Sequence, residues 1–186
     1  GLNNIRSGQL SDDEWAKLAR RMGEISDAPL FIDDSPNLSM MEIRAKARRL
    51  KQRHDLKLIV IDYLQLMSSG KRVENRQQEV SEFSRHLKLM AKELNVPVIA
   101  ISQLNRGPEQ RTDKRPMLSD LRESGSIEQD ANTVIFIYRD EIYNPETVYK
   151  GMPEIIISKQ RSGRTGMVRM AFVDEHTRFA NLSREA

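Results

Sequence analysis

Lys57-Leu58-Ile59-Val60-Ile61-Asp62-Tyr63 restricts the fold more than any other stretch of the chain. Aliphatic, mostly β-branched side chains run without a polar break and end in one carboxylate. Such a run reads as a strand covered on both faces, the habit of parallel sheets flanked by helices. Val96-Pro97-Val98-Ile99-Ala100-Ile101-Ser102-Gln103 has the same character, and its proline is tolerable near a strand start. Thr133 to Arg139 supplies a further strand.

Helical periods fill the intervals. Ser11-Asp12-Asp13-Glu14 and Ser39-Met40-Met41-Glu42 are capping boxes, in which a hydroxyl and a carboxylate satisfy free N–H groups at a helix start. Trp15, Leu18, Ala19 and Met22 follow the first box at helical spacing and are expected to pack in the core, with Gly23 ending the helix. Leu30-Phe31-Ile32-Asp33 reads as a short buried strand. The second box opens a helix to about His54, with Ile43, Ala47 and Leu50 on one face. The longest helix spans Arg76 to Asn95, and Val80, Phe83, Leu87, Met90, Ala91 and Leu94 form its stripe. Gly70 to Asn75 is a polar, basic loop. Asn105 to Ser119 has no apolar period and holds Arg106, Arg111, Lys114 and Arg115, so it is expected to be a mobile basic loop. Ser124 is placed to cap a short helix through Asp130. Glu154 to Lys159 and Met167 to Val173 read as a hairpin around the turn Ser162 to Gly166. The expected architecture is therefore α/β: a mostly parallel sheet flanked by helices, with an antiparallel hairpin at its edge. No repeat, low-complexity tract or domain boundary divides residues 1–186.

Composition removes several classes of function. Without cysteine there are no disulfides or thiolate metal sites, and His54, His86 and His176 show no metal-ligand spacing. No apolar run approaches the roughly 20 residues needed to cross a bilayer, and no signal-peptide pattern opens the chain. Thirty basic and 27 acidic side chains leave a net charge of +3, too mild to identify a nucleic-acid partner. Where the charges lie therefore matters more than their sum.

Asp62 emerges where open α/β sheets bind ligands, outside the carboxyl ends of the strands. A carboxylate there either closes a strand or, in P-loop nucleoside triphosphatases, holds a magnesium ion through water. The strand alone does not separate the two. Gln103 ends the neighbouring run, where an amide either hydrogen-bonds a γ-phosphate and its attacking water or simply meets solvent. Lys159-Gln160-Arg161 ends the first arm of the hairpin, and cations flanking one strand residue share a face. Projected outward, they either neutralise a phosphate on a neighbouring subunit or blunt an edge strand. Arg122 precedes Ser124-Gly125 at a helix start, a pattern that suits phosphate capture and equally an ordinary N-cap. The phosphate-cradling motif Gly-x-x-x-x-Gly-Lys-Ser/Thr is absent: the only Gly-Lys pair, Gly70-Lys71, is followed by Arg72.

Val60 to Met67, Lys92 to Val98, Ser102 to Arg106, Asp120 to Asp130 and Lys159 to Gly163 together resemble the C-terminal motor domain of bacterial replicative DNA helicases of the DnaB type. The resemblance follows the family's order over essentially the whole chain. It implies a RecA-like fold, here a partial domain, and a homo-hexameric ring that uses ATP and Mg2+ to move along single-stranded DNA and unwind duplex. Primase and a helicase loader are the implied partners, with no membrane and a cytoplasmic place at the replication fork. Asp62 matches the Walker B aspartate that holds Mg2+ through water, and Gln103 matches the γ-phosphate-sensing glutamine. Lys159 and Arg161 match the basic pair that reaches the ATP of the adjacent subunit, and Gly163 joins these residues in nucleotide binding. Arg122, Glu123 and Gly125 match the loop that grips the single-strand backbone, the last two through main-chain groups, with Asn105 and Arg106 as further DNA contacts. In the family, the P-loop and the catalytic glutamate lie before the point where this chain starts at Gly1. The chain is thus expected to be the later part of the motor, inactive alone, with uncovered apolar faces that favour self-association. Two other readings stay open: a related RecA-like ATPase of recombination or of a phage, and a non-enzymatic interaction or DNA-binding module.

Overall fold

A computed structural model describes residues 2–36, 38–67 and 76–182. They fall into two compact units, one of Gly1–Asp34, Arg139–Glu154 and Val168–Ala186, the other of Ser35–Tyr138 and Ile155–Met167. The expected loop from Gly70 to Asn75 lies outside the described residues.

The second unit is built on a parallel pair, β1 (Ile59–Ile61) and β2 (Val98–Ala100), in the register Ile59↔Val98, Val60↔Ile99, Ile61↔Ala100. Two helices cover one face of the pair. Helix α3 (Met40–His54) starts at Ser39 with both bonds of the capping box formed, and α4 (Arg76–Leu94) is the longest helix, as the periodicity predicts. Phe83, Leu87, Met90 and Leu94 of α4 are buried with Ala47 of α3, and Ile59, Ile61 and Val98 pack onto them. Each fully buried aliphatic or aromatic side chain of this kind contributes about 1.5–3 kcal/mol. Glu93 joins the helices by accepting from Arg48 and Arg44, whose hydrogen bonds hold its carboxyl below the usual range.

The expected burial of these strands on both faces is not observed. Val60 is 56% and Ile99 52% exposed, because alternation turns them away from α3 and α4 and nothing in the unit covers that side among the described residues. A three-stranded sheet ordered β3 (Thr133–Tyr138), β4 (Glu154–Gln160), β5 (Gly166–Arg169) shows the same alternation. Val134, Phe136 and Tyr138 are buried, whereas Ile135 and Ile137 are exposed. Arg161 N–H donates to Asn132 C=O at 2.9 Å, so the end of β4 meets the start of β3 and the two run antiparallel. The parallel pair and the antiparallel hairpin together are the α/β pattern expected.

In the first unit, α1 (Leu2–Ser7) precedes α2 (Asp12–Ser26), which Ser11 caps through the expected box. The rest of the reading there is corrected. No residue of α2 is buried, Trp15 is 52% exposed, and the helix runs past Gly23. A glycine inside a helix costs about 1 kcal/mol, too little to stop it by itself. Leu30 to Asp33 is neither strand nor buried. The arm expected from Met167 to Val173 divides at Met170, and β6 (Ala171–Val173) pairs instead with β7 (Arg178–Ala180), antiparallel.

Candidate functional site

The β1–β2 ladder continues beyond its strands. Ile101 N–H donates to Ile61 C=O and Leu64 N–H donates to Ile101 C=O, both at 2.9 Å. Gln65 carries the pairing on with its side chain. Its carboxamide oxygen accepts from Gln103 N–H at 3.2 Å, and its NH2 donates to Gln103 C=O and to the Ser102 hydroxyl, each at 3.1 Å. Asp62 leaves β1 just before this clamp, and the Asp62–Tyr63 peptide bond is cis. The side chains of Asp62 and Gln103 are exposed and have no partner among the described residues. A carboxylate and an amide thus follow the carboxyl ends of two paired parallel strands, Asp62 directly after β1 and Gln103 three residues past β2, on the side where open α/β sheets bind ligands.

The Asp62 carboxylate fits a hydrated Mg2+, which is commonly bound through one or two carboxylates and otherwise keeps its waters. Among the described residues no three acidic or histidine side chains converge to hold a metal directly. Sequence reasoning missed Gln65. Its only local signal is a polar side chain between Leu64 and Leu66, and its partner appears only once the register with β2 is known.

Past Gln103 the expected mobile loop is tied from within. It contains α5 (Gly107–Gln110), and it is tied to the residue that follows it, Asp120, which is 3% exposed. Asp120 accepts from Arg111 at 2.7 and 2.8 Å and from Met117 N–H at 2.7 Å, while its carbonyl accepts from Asn105 N–H at 3.1 Å. The Arg111 hydrogen bonds are the main reason the Asp120 carboxyl lies below its ordinary range; burial opposes them and Met117 N–H assists. Arg111 also donates to Arg115 C=O, Lys114 to Glu109 C=O, and Arg115 lies 5.1 Å over the Tyr138 ring. The side-chain oxygen of Asn105 accepts from Gly107 N–H at 2.8 Å, so this candidate DNA contact shapes the turn. A Cβ on Gly107 would lie 2.8 Å from that same oxygen. Arg106 is exposed, and its guanidinium has no partner among the described residues.

Arg122, Glu123 and Gly125 lie where a 3-10 helix, Leu118–Ser124, runs directly into α6 (Gly125–Asp130). The capped start expected at Ser124 is therefore a continuous helical segment, a common way for an α-helix to begin. The side chains of residues 122–125 lie outside the described residues.

At the hairpin end, Lys159 lies within β4 and Arg161 just past it. β4 stops at Gln160, so strand alternation no longer governs Arg161. Lys159 donates to the carbonyls of Glu128 and Gln129, where a cation complements the carboxyl end of α6. Arg161 is exposed, and its guanidinium has no partner among the described residues. Gly163 lies in the turn that follows, where an added Cβ would press on the flexible Gln160 side chain. Two contributors escaped the sequence reading, Lys88 and Asn132. The Asn132 side chain accepts from Lys88 while its backbone carbonyl accepts from Arg161 N–H. Burial, then the charges of Arg161 and Lys159, lower the Lys88 pKa despite the opposing pull of Asp130.

The family of DnaB-like helicase C-terminal domains matches the chain over residues 1–181. The replicative DNA helicase DnaB of Mycobacterium intracellulare is 64% identical, over 98% of this chain and 32% of its own length. The replicative DNA helicase DnaC of Bacillus subtilis is 58% identical, over 97% of this chain and 40% of its own. The chain thus spans between about a third and two fifths of the length of these curated relatives. Among solved structures, a DnaB-like replicative helicase determined with its interactions with primase matches with a TM-score of 0.91 at 44% identity, over 97% of this chain and 44% of that one. A solved ATPase domain matches at 0.92 and 44% identity, over 97% and 65%.

Proposed function

The chain belongs to the family of DnaB-like helicase C-terminal domains, and we propose that residues 1–186 form the later part of the motor of a bacterial replicative DNA helicase. The intact motor is a homo-hexamer in the cytoplasm that couples ATP hydrolysis at its interfaces to movement along single-stranded DNA, with primase and a loader as partners. One observation carries this reading: in a chain of this family, a free carboxylate, Asp62, and a free side-chain amide, Gln103, follow the carboxyl ends of adjacent parallel strands.

Asp62 orients a hydrated Mg2+, and that ion, when bound, neutralises charge on the β- and γ-phosphates of ATP. Gln103 meets the γ-phosphate or its attacking water. The loop that follows is tied together through Asp120, so a shift at Gln103 is passed along it as one piece. Arg106 and Arg122 track the DNA backbone, Glu123 and Gly125 grip it through main-chain groups, and Asn105 holds the turn beside them. Such gripping tolerates any sequence and weakens steeply with salt. Arg161, with Lys159 at its base and Gly163 in the turn, reaches the ATP of the adjacent subunit, where a guanidinium stabilises charge developing on the phosphoryl group.

ATP turnover of the intact polypeptide that carries this chain, with and without single-stranded DNA, tests the reading. DNA-stimulated hydrolysis is expected, and Asp62→Asn should lower it by about a hundredfold or more. Turnover indifferent to both DNA and Asp62 would refute it.

A further inference from the structure

We infer that Gln65 is a positioning residue: its side-chain amide fixes the backbone of Gln103 and joins the two strand ends into one sensing unit. The inference rests on the reading of Gln103 as the residue that meets the γ-phosphate, and adds to it how that residue is held.

A parallel ladder needs main-chain donors and acceptors at regular intervals. Beyond Leu64 N–H these run out, because residues Leu64–Leu66 turn into a 3-10 helix and leave the Gln103 N–H and C=O without a strand partner. A primary carboxamide can replace a peptide group, since it donates and accepts in one plane. Gln65 does both toward the same residue and makes a third bond to the Ser102 hydroxyl. Its own backbone is well fixed: Leu64 before it is 1% exposed, and Met67 beyond it is also buried. The clamp is therefore anchored in the core at one end and holds an exposed residue at the other. Asp62 lies three residues ahead of Gln65 on the same short segment. The carboxylate and the sensing amide are thereby linked through Gln65.

A group misplaced by about 1 Å can cost about a hundredfold in rate. Replacing the clamp should therefore lower turnover more than nucleotide affinity. In the intact polypeptide, Gln65→Leu removes the donor and the acceptor together. The expected result is a kcat at least about tenfold lower, a KM for ATP within about twofold of wild type, and weakened stimulation by single-stranded DNA. Gln65→Glu keeps the size and still accepts from Gln103 N–H but faces Gln103 C=O with a carboxylate. A smaller loss of the same kind is expected from it, and it serves if the leucine variant does not assemble.

A double-mutant cycle with Gln103→Ala separates positioning from general weakening. Acting through Gln103, Gln65→Leu should lower kcat in the wild type and change nothing further in the Gln103→Ala background. A wild-type kcat in Gln65→Leu, or a loss that multiplies fully onto that of Gln103→Ala, would overturn the inference. Full turnover in Gln103→Ala alone would instead bring down the reading of Gln103, and the inference with it.

Discussion

The loop from Asn105 to Asp120 and the hairpin end from Lys159 to Arg161 are both rich in positive charge, and they use it in opposite ways. In the loop, Arg111 is bound by both oxygens of a buried aspartate, Lys114 and Arg111 donate to backbone carbonyls, and Arg115 lies over an aromatic ring. Arg106 is left as a cation without a partner there, among the described residues. At the hairpin end Lys159 closes α6, while Arg161 faces solvent, with Lys88 and Lys159 near enough for their charges to be felt mutually. We propose that the like-charged cluster around the free Arg161 guanidinium serves an anion from elsewhere, whereas the cations spent on their own loop brace it. The number of basic residues does not distinguish these cases, whereas their partners do.

The sharpest way to break this contrast is Arg161→Ala. With no internal partner lost, folding stability should move by no more than about 0.5 kcal/mol. Hydrolysis by the intact polypeptide should fall by about a thousandfold, as for an arginine finger, with nucleotide binding nearly unchanged. Equal losses in binding and turnover would count against a finger acting between subunits.

Asp120→Asn should do the reverse and act on stability first. It leaves Arg111 facing a neutral amide, at a cost of about 2 kcal/mol, below the full penalty for a deeply buried pair because Arg111 still reaches solvent. Denaturant unfolding measures this directly. The sign with pH follows from the lowered carboxyl pKa: the stabilisation is present above the ordinary aspartate value of about 3.9 and fades as pH falls through the lower folded value. Wild type should therefore lose stability in acid more steeply than Asp120→Asn; parallel pH curves would show that the pair does not brace the loop.

The smallest effect is expected at Arg106. Its removal should flatten the dependence of single-strand affinity on log salt by about 0.7, the share of one phosphate contact on a single strand, without changing stability. An unchanged slope would take Arg106 out of the DNA interface.

Features set within a few residues were legible in the sequence. Both capping boxes formed, at Ser11 and Ser39, because each needs only its own helix turn. The stripe of α4 was legible for a related reason: its period of nearly four residues commits one face to burial. What covers a face was not legible. Ile59 and Val60 are chemically alike, yet one packs on α4 and the other meets solvent, and Trp15 follows a sound helical period without reaching a core. Asp62 and Gln103 could be placed because they close apolar runs in the sequence, whereas Gln65, Lys88 and Asn132 act across a register or between elements. The partners of Lys159 were not legible either, since alternation gives a side of the strand but does not reveal the end of α6.

We propose that Asp62 of one copy and Arg161 of the next complete a single ATP site. Mixed oligomers of the intact polypeptide test it most directly, formed from Asp62→Asn and Arg161→Ala subunits that are each inactive alone. Random head-to-tail pairing restores both residues at roughly a quarter of the interfaces. Single-turnover hydrolysis recovered in the mixture, in proportion to those interfaces, is the predicted result. A mixture as inactive as its two components would contradict the claim.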